Sequence, residues 1–246
     1  MGQVPDEKIQ YGIIGKGRVA KHFLHYLQAL HLPVIQWHRQ LSIAPEVALN
    51  NCQVILVLIS DRSIEEFIQA HPQLTKKILV HFSGSLVTPL AQGLHPLMTF
   101  STELYDLEDY QKIHFVGEKE GQHSFEELFP QLPNTHSVIP QSERSRYHAL
   151  CVLANNFTSA LWQKFFLELD NYQLPPQAGE EFLTRTYKNI LINPRQIASG
   201  PVARGDTKTI QKNISALNQD PYADVYRAFV KAFQSAQKKE AVHERH

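Results

Sequence analysis

From residue 9 to about residue 139, short apolar runs rich in β-branched residues alternate with stretches that carry a single apolar stripe. The runs at 9–14, 33–37, 53–59, 77–82, 94–99, 112–116 and 135–139 predict strands. Between the first two, Val19, Phe23, Leu27 and Leu30 recur at helical spacing, and Ala20 and Leu24 widen the stripe. That pattern is a helix joining two strands. Repeated along the chain, it predicts a parallel sheet covered by helices, because parallel neighbours need a crossover between them. Ser63, with Glu66 three residues later, predicts a capping box at the start of a helix whose apolar face is Ile64, Phe67 and Ile68.

Past Pro140 the strand signals stop. Helical patterns fill 142–170, 179–192, 206–217 and 221–238, separated by Pro175-Pro176, by Asn193-Pro194 with Ser199-Gly200-Pro201, and by Asp220-Pro221. The shift predicts an α/β domain over 1–140 and an all-helical domain over 141–246.

Composition narrows the partners. Apolar residues are 43% of the 246 and charged residues 20%, which suits a globular core. Twenty-four basic side chains balance twenty-four acidic ones, so the basic field that binds nucleic acid is missing. Cys52 and Cys151 stand far apart in apolar company, which argues against disulfides or a zinc ribbon. The first residues lack an apolar signal core, and Asp6 stands where a myristoylation signal wants Ser or Thr. The longest apolar run, 54–59, is too short to span a bilayer. A cytoplasmic protein without a membrane partner is expected.

The sharpest chemical signal is Gly15-Lys16-Gly17-Arg18-Val19-Ala20, a G-x-G-x-x-A set between a predicted strand and helix. Gly15 permits the turn, Gly17 lets a pyrophosphate approach the main chain, Ala20 allows close packing, and the helix N-terminus offers unpaired N–H groups. The alternative is a glycine-rich turn that binds nothing. An NAD site usually ends its second strand with a carboxylate. Here that strand ends Trp37-His38-Arg39-Gln40 with no carboxylate before Glu46, and Arg39 with Arg18 suits a 2′-phosphate. The reading favours NADP over NAD, against Arg39 as an ordinary surface arginine.

Ligands of an open α/β sheet sit beyond the strands' carboxyl ends. Ser60-Asp61-Arg62 lies there, or merely leads into the helix at Ser63; His81-Phe82-Ser83-Gly84-Ser85 lies there too, or is a plain turn. His95 orients that second loop or packs. In the helical half, Arg146-Tyr147-His148 precedes Asn155-Asn156 by about two turns, so His148 and an asparagine share a face, facing a cleft or satisfying their own neighbours. Asp206 is a natural helix cap, while Arg204 has no such structural task and suits a substrate carboxylate. No metal is expected: His22 and His25 lack a third ligand, and His243 and His246 lie in a charged tail.

In this order, Gly15 to Val19, His81 to Ser85, His95 to Phe100, Tyr147-His148-Ala149, Asn156-Phe157 and Gly200 to Thr207 resemble a known family. It is that of Rossmann-like proteins with a C-terminal helical domain of unknown function, relatives of 6-phosphogluconate dehydrogenase, ketopantoate reductase and pyrroline-5-carboxylate reductase. The resemblance implies a Rossmann NAD(P)-binding domain followed by an all-α, 6-phosphogluconate dehydrogenase C-terminal-like domain. It also implies an NADP-type cofactor, a cleft between the domains and a homodimer through the helical halves. It implies no substrate. Leu150-Cys151 and Ser199 depart from the family pattern.

The expected activity is hydride transfer between NADPH and a small carbonyl or imine. His148 is the expected proton donor, Asn156 orients the substrate, Ser83 meets the nicotinamide or the substrate oxygen, and Arg204 anchors an anionic group. The expected cofactor contacts are Gly15, Lys16, Gly17, Arg18, Val19, Arg39, Ser60, Ser83 and Gly84. A non-catalytic NADP-binding redox sensor shares the glycine loop, and a structural interaction module would bind no dinucleotide.

Overall fold

The computed structural model describes residues 8–194 and 200–243. Asp6, Ser199 and His246 lie outside the described residues, as does the side chain of His243. The chain divides into two compact units, Met1–Leu161 and Trp162–His246.

The first unit is built on seven strands in the order β2-β1-β3-β4-β5-β6-β7. They are β1 Tyr11–Ile14, β2 Val34–Trp37, β3 Val54–Val57, β4 Ile78–His81, β5 Gln92–Leu97, β6 His114–Glu118 and β7 His136–Ile139. Its helices are α1 Arg18–Ala29, α2 Pro45–Ala48, α3 Ile64–Ala70, α4 Leu107–Gln111, α5 Phe125–Leu128 and α6 Arg144–Cys151. Period-two alternation sets the two faces. Tyr11, Ile13, Val54, Leu56 and Val80 pack with Phe23, Tyr26 and Leu27 of α1 on one side. Ile14, Ile55, Val57 and Leu79 pack with Ile64 and Ile68 of α3 on the other. β1 and β3 are interior strands, buried at every position, which explains their unbroken apolar runs.

The sheet departs from the all-parallel expectation. β1 to β5 are parallel, but β6 runs antiparallel to β5, and β7 is parallel to β6. The segment between β5 and β6 does not cross a sheet face. It stays against α1, where the Tyr110 hydroxyl meets His22 Nδ1 at 2.7 Å and the Tyr110 ring stacks on Tyr26 at 5.2 Å. A strand that starts where its neighbour ended must run back. The edges also shift: β5 begins at Gln92, because Gln92 and Gly93 pair with Val80 and His81, and β6 reaches Glu118 through pairing with β7.

The predicted capping box at Ser63 is absent. A 3₁₀ turn, Asp61–Ser63, runs straight into α3, so Ser63 is already helical and caps no backbone N–H. Its Oγ lies 2.9 Å from Ser60 Oγ instead.

The predicted helix over 142–170 is one continuous helical path, but not of one type. A 3₁₀ turn, Gln141–Glu143, leads into α6, a π-helical stretch Val152–Phe157 follows, and α7, Thr158–Leu169, completes it. The boundary between units falls within α7. α6 goes with the sheet because Arg144 is fully buried, donating from Nη2 to the Ser83 carbonyl, and Tyr147 meets His95.

The second unit holds the rest of α7 with α8 Pro176–Ile192, α9 Thr207–Ala216 and α10 Tyr222–His243. Trp162, Phe165, Phe166 and Phe182 cluster at ring distances of 5.5 to 6.3 Å. Gly179 lets α8 approach: a Cβ there would stand 2.7 Å from the Phe166 ring. Asp206 caps α9, accepting from the Thr209 N–H at 3.1 Å. Among the described residues no helix is long and apolar enough to cross a membrane.

Candidate active site

The glycine loop follows from local sterics. Gly15 has φ 122°, and a Cβ there would sit 2.3 Å from the Leu58 carbonyl oxygen, so only glycine fits. Its N–H donates to Trp37 O at 2.9 Å, closing the turn beside β2. Gly17 differs. It caps α1 with ordinary backbone angles, and a Cβ there would meet nothing within 4 Å. The first turn of α1 carries neither a side-chain cap nor an acidic residue. The helix therefore opens onto free space with its first N–H groups unclaimed, which is what a diphosphate requires. The residues fit that group.

Two cavities meet at this loop. One, of about 390 Å³, is lined by Gly15 to Val19, by Ile59, Ser60 and Asp61, and by Phe82 and Ser83. The other, of about 550 Å³, adds Trp37, His38, Arg39, Ser63, Glu66 and Phe67. They share Gly15, Lys16, Ile59 and Ser60 and form a groove across the carboxyl ends of β1 and β3. Lys16 Nζ is held by the Gln40 side chain, and Arg18 Nη1 donates to Phe100 O at 3.2 Å. Arg39 is exposed and enters no ion pair among the described residues.

At the end of β4 the structure gathers groups from distant parts of the unit. Ser83 Oγ donates to Asp61 Oδ2 at 2.5 Å and accepts from the Leu86 N–H at 3.0 Å, so its one proton is engaged. Gly84 lies directly under His148: a Cβ on Gly84 would stand 2.2 Å from Nδ1 of that ring. His148 Nδ1 is buried with no hydrogen-bond partner. His95 Nδ1 meets the Tyr147 hydroxyl at 2.8 Å, and its ring stands edge-on to His148 at 5.9 Å. Burial, helped by His148 and Arg144, pushes His95 down to about 4, so it is neutral near pH 7. His81, fully buried, is likewise pushed down to about 4 by desolvation and by Arg144. Arg144 Nε lies 3.7 Å from Glu118 Oε1, also buried.

Asn156 falls in the π-helical stretch. A π turn takes about one residue more than an α turn, so the residue returning to His148's face moves from the seventh to the eighth position along. Arg204 belongs to the second unit, in the turn before α9, with an exposed side chain and no ion pair among the described residues.

Asp61 belongs to the loop for which the sequence leaves two readings, a ligand contact or a lead-in to the helix, and nothing in the local pattern marks Arg144 or Glu118 for burial in this network. His22, considered for a metal, uses Nδ1 on Tyr110 and Nε2 on Ser101 O.

Residues 113–233 match the model of a family described as Domain of unknown function (DUF2520). No curated protein matches the sequence. Among solved structures the chain is similar to protein BF3122 of Bacteroides fragilis, with TM-score 0.73 and 18% identity over 93% of this chain and 99% of that one. It is also similar to a reductive aminase from Aspergillus terreus in complex with NADPH, with TM-score 0.62 and 11% identity over 94% of each chain. A third is the Plasmodium falciparum pyrroline carboxylate reductase with NADP bound, with TM-score 0.56 and 13% identity over 92% of this chain and 99% of that one. The chain has the fold of the Rossmann-type reductases that carry a helical C-terminal domain.

Proposed function

We propose that the protein is an NADP-dependent oxidoreductase acting on a small carbonyl or imine. One observation carries this reading: the uncapped start of α1 opens beside Gly17 onto a groove that ends at Ser83, next to the Gly84 that supports His148. Gly15 to Val19 and Ser60 would hold the diphosphate, with Ser83 and Gly84 toward the nicotinamide and Arg39 and Lys16 toward a 2′-phosphate. When bound, reduced nicotinamide supplies hydride to the substrate carbon.

The side chains handle the proton. Burial of His148 Nδ1 leaves the ring's other nitrogen to meet the substrate, and His148 gives the proton that the carbonyl oxygen or imine nitrogen gains. Asn156 orients the substrate by its amide. Asp61 fixes Ser83, and Arg144 fixes the Ser83 carbonyl, so the loop that carries Gly84 is held from both sides. Arg204 keeps an anion-binding role, supported by its exposed guanidinium, which enters no salt bridge among the described residues. Resemblance to the structures with bound NADP or NADPH supports the cofactor class. A homodimer through the helical half is supported by large exposed apolar side chains there, among them Phe182, Ile190, Leu191, Ile192 and Phe229.

The test is a fluorescence titration with NADPH, followed by NADPH oxidation across a panel of aldehydes, 2-oxo acids and cyclic imines. Binding and turnover of at least one substrate are expected, with turnover lost in His148→Ala. Failure to bind would end the reading, and binding without any turnover would favour a redox-sensing protein.

A further inference from the structure

Arg39 and Glu66 line the same cavity, and neither enters a hydrogen bond or ion pair among the described residues. The sequence predicts that Glu66 is spent on a capping box with Ser63. In the structure that box is absent, because the 3₁₀ turn Asp61–Ser63 feeds directly into α3 and Ser63 Oγ faces Ser60 Oγ. Glu66 is exposed and makes no hydrogen bond or ion pair among the described residues. It lines the 550 Å³ cavity together with Arg39, His38 and Ser60. Arg39 and Glu66 do not pair with each other, so each remains available to a ligand.

This cavity adjoins the glycine loop on the β2 side, where an adenosine ribose is bound in folds of this type. Trp37 and Phe67, with ring centroids 5.7 Å apart, supply its aromatic wall. A guanidinium attracts a 2′-phosphate, and a carboxylate accepts a hydrogen bond from a 2′-hydroxyl but repels the phosphate. The end of β2, Trp37-His38-Arg39-Gln40, carries no such carboxylate. The tertiary structure brings one from α3.

We infer that Glu66 is a specificity-determining residue that opposes Arg39: it supports the unphosphorylated ribose of NADH and penalises the 2′-phosphate of NADPH. This rests on the dinucleotide reading above. The protein accepts both cofactors: Arg39 and Lys16 favour the 2′-phosphate of NADPH, and the Glu66 carboxylate in the same cavity offsets part of that preference.

The experiment is a fluorescence titration of wild type, Glu66→Gln and Arg39→Ala with NADPH and with NADH, at low and moderate salt. Glu66→Gln keeps the side chain's shape and sits on an exposed helix position, so the fold is retained. It is expected to tighten NADPH about fivefold and to weaken NADH, with the gain in NADPH affinity shrinking as salt rises. Arg39→Ala is expected to weaken NADPH about tenfold and leave NADH nearly unchanged. If wild type binds both but Glu66→Gln shifts their affinity ratio by less than about twofold, this inference is overturned and the dinucleotide site stands. If wild type binds neither, both fall.

Discussion

Gly84→Ala isolates the contact on which the proposed proton transfer depends. Gly84 is not among the positive-φ residues, so alanine meets no backbone strain there. The difficulty is spatial. The added methyl would lie 2.2 Å from His148 Nδ1, 2.9 Å from Cγ and 3.0 Å from Cε1. Ordinary carbon contacts need roughly 3.5 Å, so the ring must retreat by about an ångström or more. α6 cannot easily slide to make room, because Arg144 is buried at its start and Tyr147 is held by His95 at 2.8 Å. The ring therefore rotates out of position. Overpacking of this kind costs about 1–3 kcal/mol of stability, within the margin of a normal domain. A catalytic group displaced by about an ångström costs on the order of 100-fold in rate, or about 2.7 kcal/mol of barrier. The diphosphate loop is untouched but Gly84 itself faces the nicotinamide in the proposed site, so the loss in kcat should exceed any loss in NADPH affinity. Measuring NADPH affinity, kcat on an identified substrate and the urea midpoint separates the three effects. Wild-type kcat in Gly84→Ala, with the fold intact, would refute the placement of His148 at the chemistry.

The two loop glycines should respond oppositely to alanine. Gly15→Ala, forced to positive φ against the Leu58 carbonyl, should lose about 3 kcal/mol or more of stability in urea denaturation. Gly17→Ala should change stability by less than about 1 kcal/mol. Its methyl would enter open space at the helix start, so NADPH binding should fall sharply in the same fluorescence titration. Stability should also fall in acid through His81. Its folded pKa of about 4 lies below the ordinary 6.5, so its contribution is complete above pH 6.5 and is lost as pH falls toward 4. The loss amounts to about 3 kcal/mol, visible as a falling urea midpoint between those pH values, and His95 adds to it in the same direction. A His81→Gln variant whose midpoint falls just as steeply would show that other groups carry the acid sensitivity.

The sequence by itself determined what depends on neighbouring residues. Alternating and helical periodicity located all seven strands together with α1 and α3, because burial of one face leaves its period in the chain, whereas the short helices α2, α4 and α5 left no such signal. The glycine loop was equally legible: positive φ at Gly15 is a conformation that glycine meets without cost, and the missing side chain at Gly17 leaves the space at the helix start open. Asp206 as a cap of α9 belongs to the same class.

Tertiary structure alone decided where distant side chains meet. Periodicity carries no direction, so the reversal at β6 became visible only once Tyr110 was seen holding its segment on α1. The pairing of Ser83 with Asp61, the seat of His148 on Gly84 and the burial of Arg144 beside Glu118 join residues 22 to 64 positions apart. Contacts at such separations leave no period or spacing to read. Glu66 shows the same limit in reverse: its local pattern promised a cap, and the neighbouring 3₁₀ turn released it into the cavity with Arg39. Local dihedral and burial preferences are written residue by residue, whereas the chemistry of this site is a product of how the strands are ordered in space.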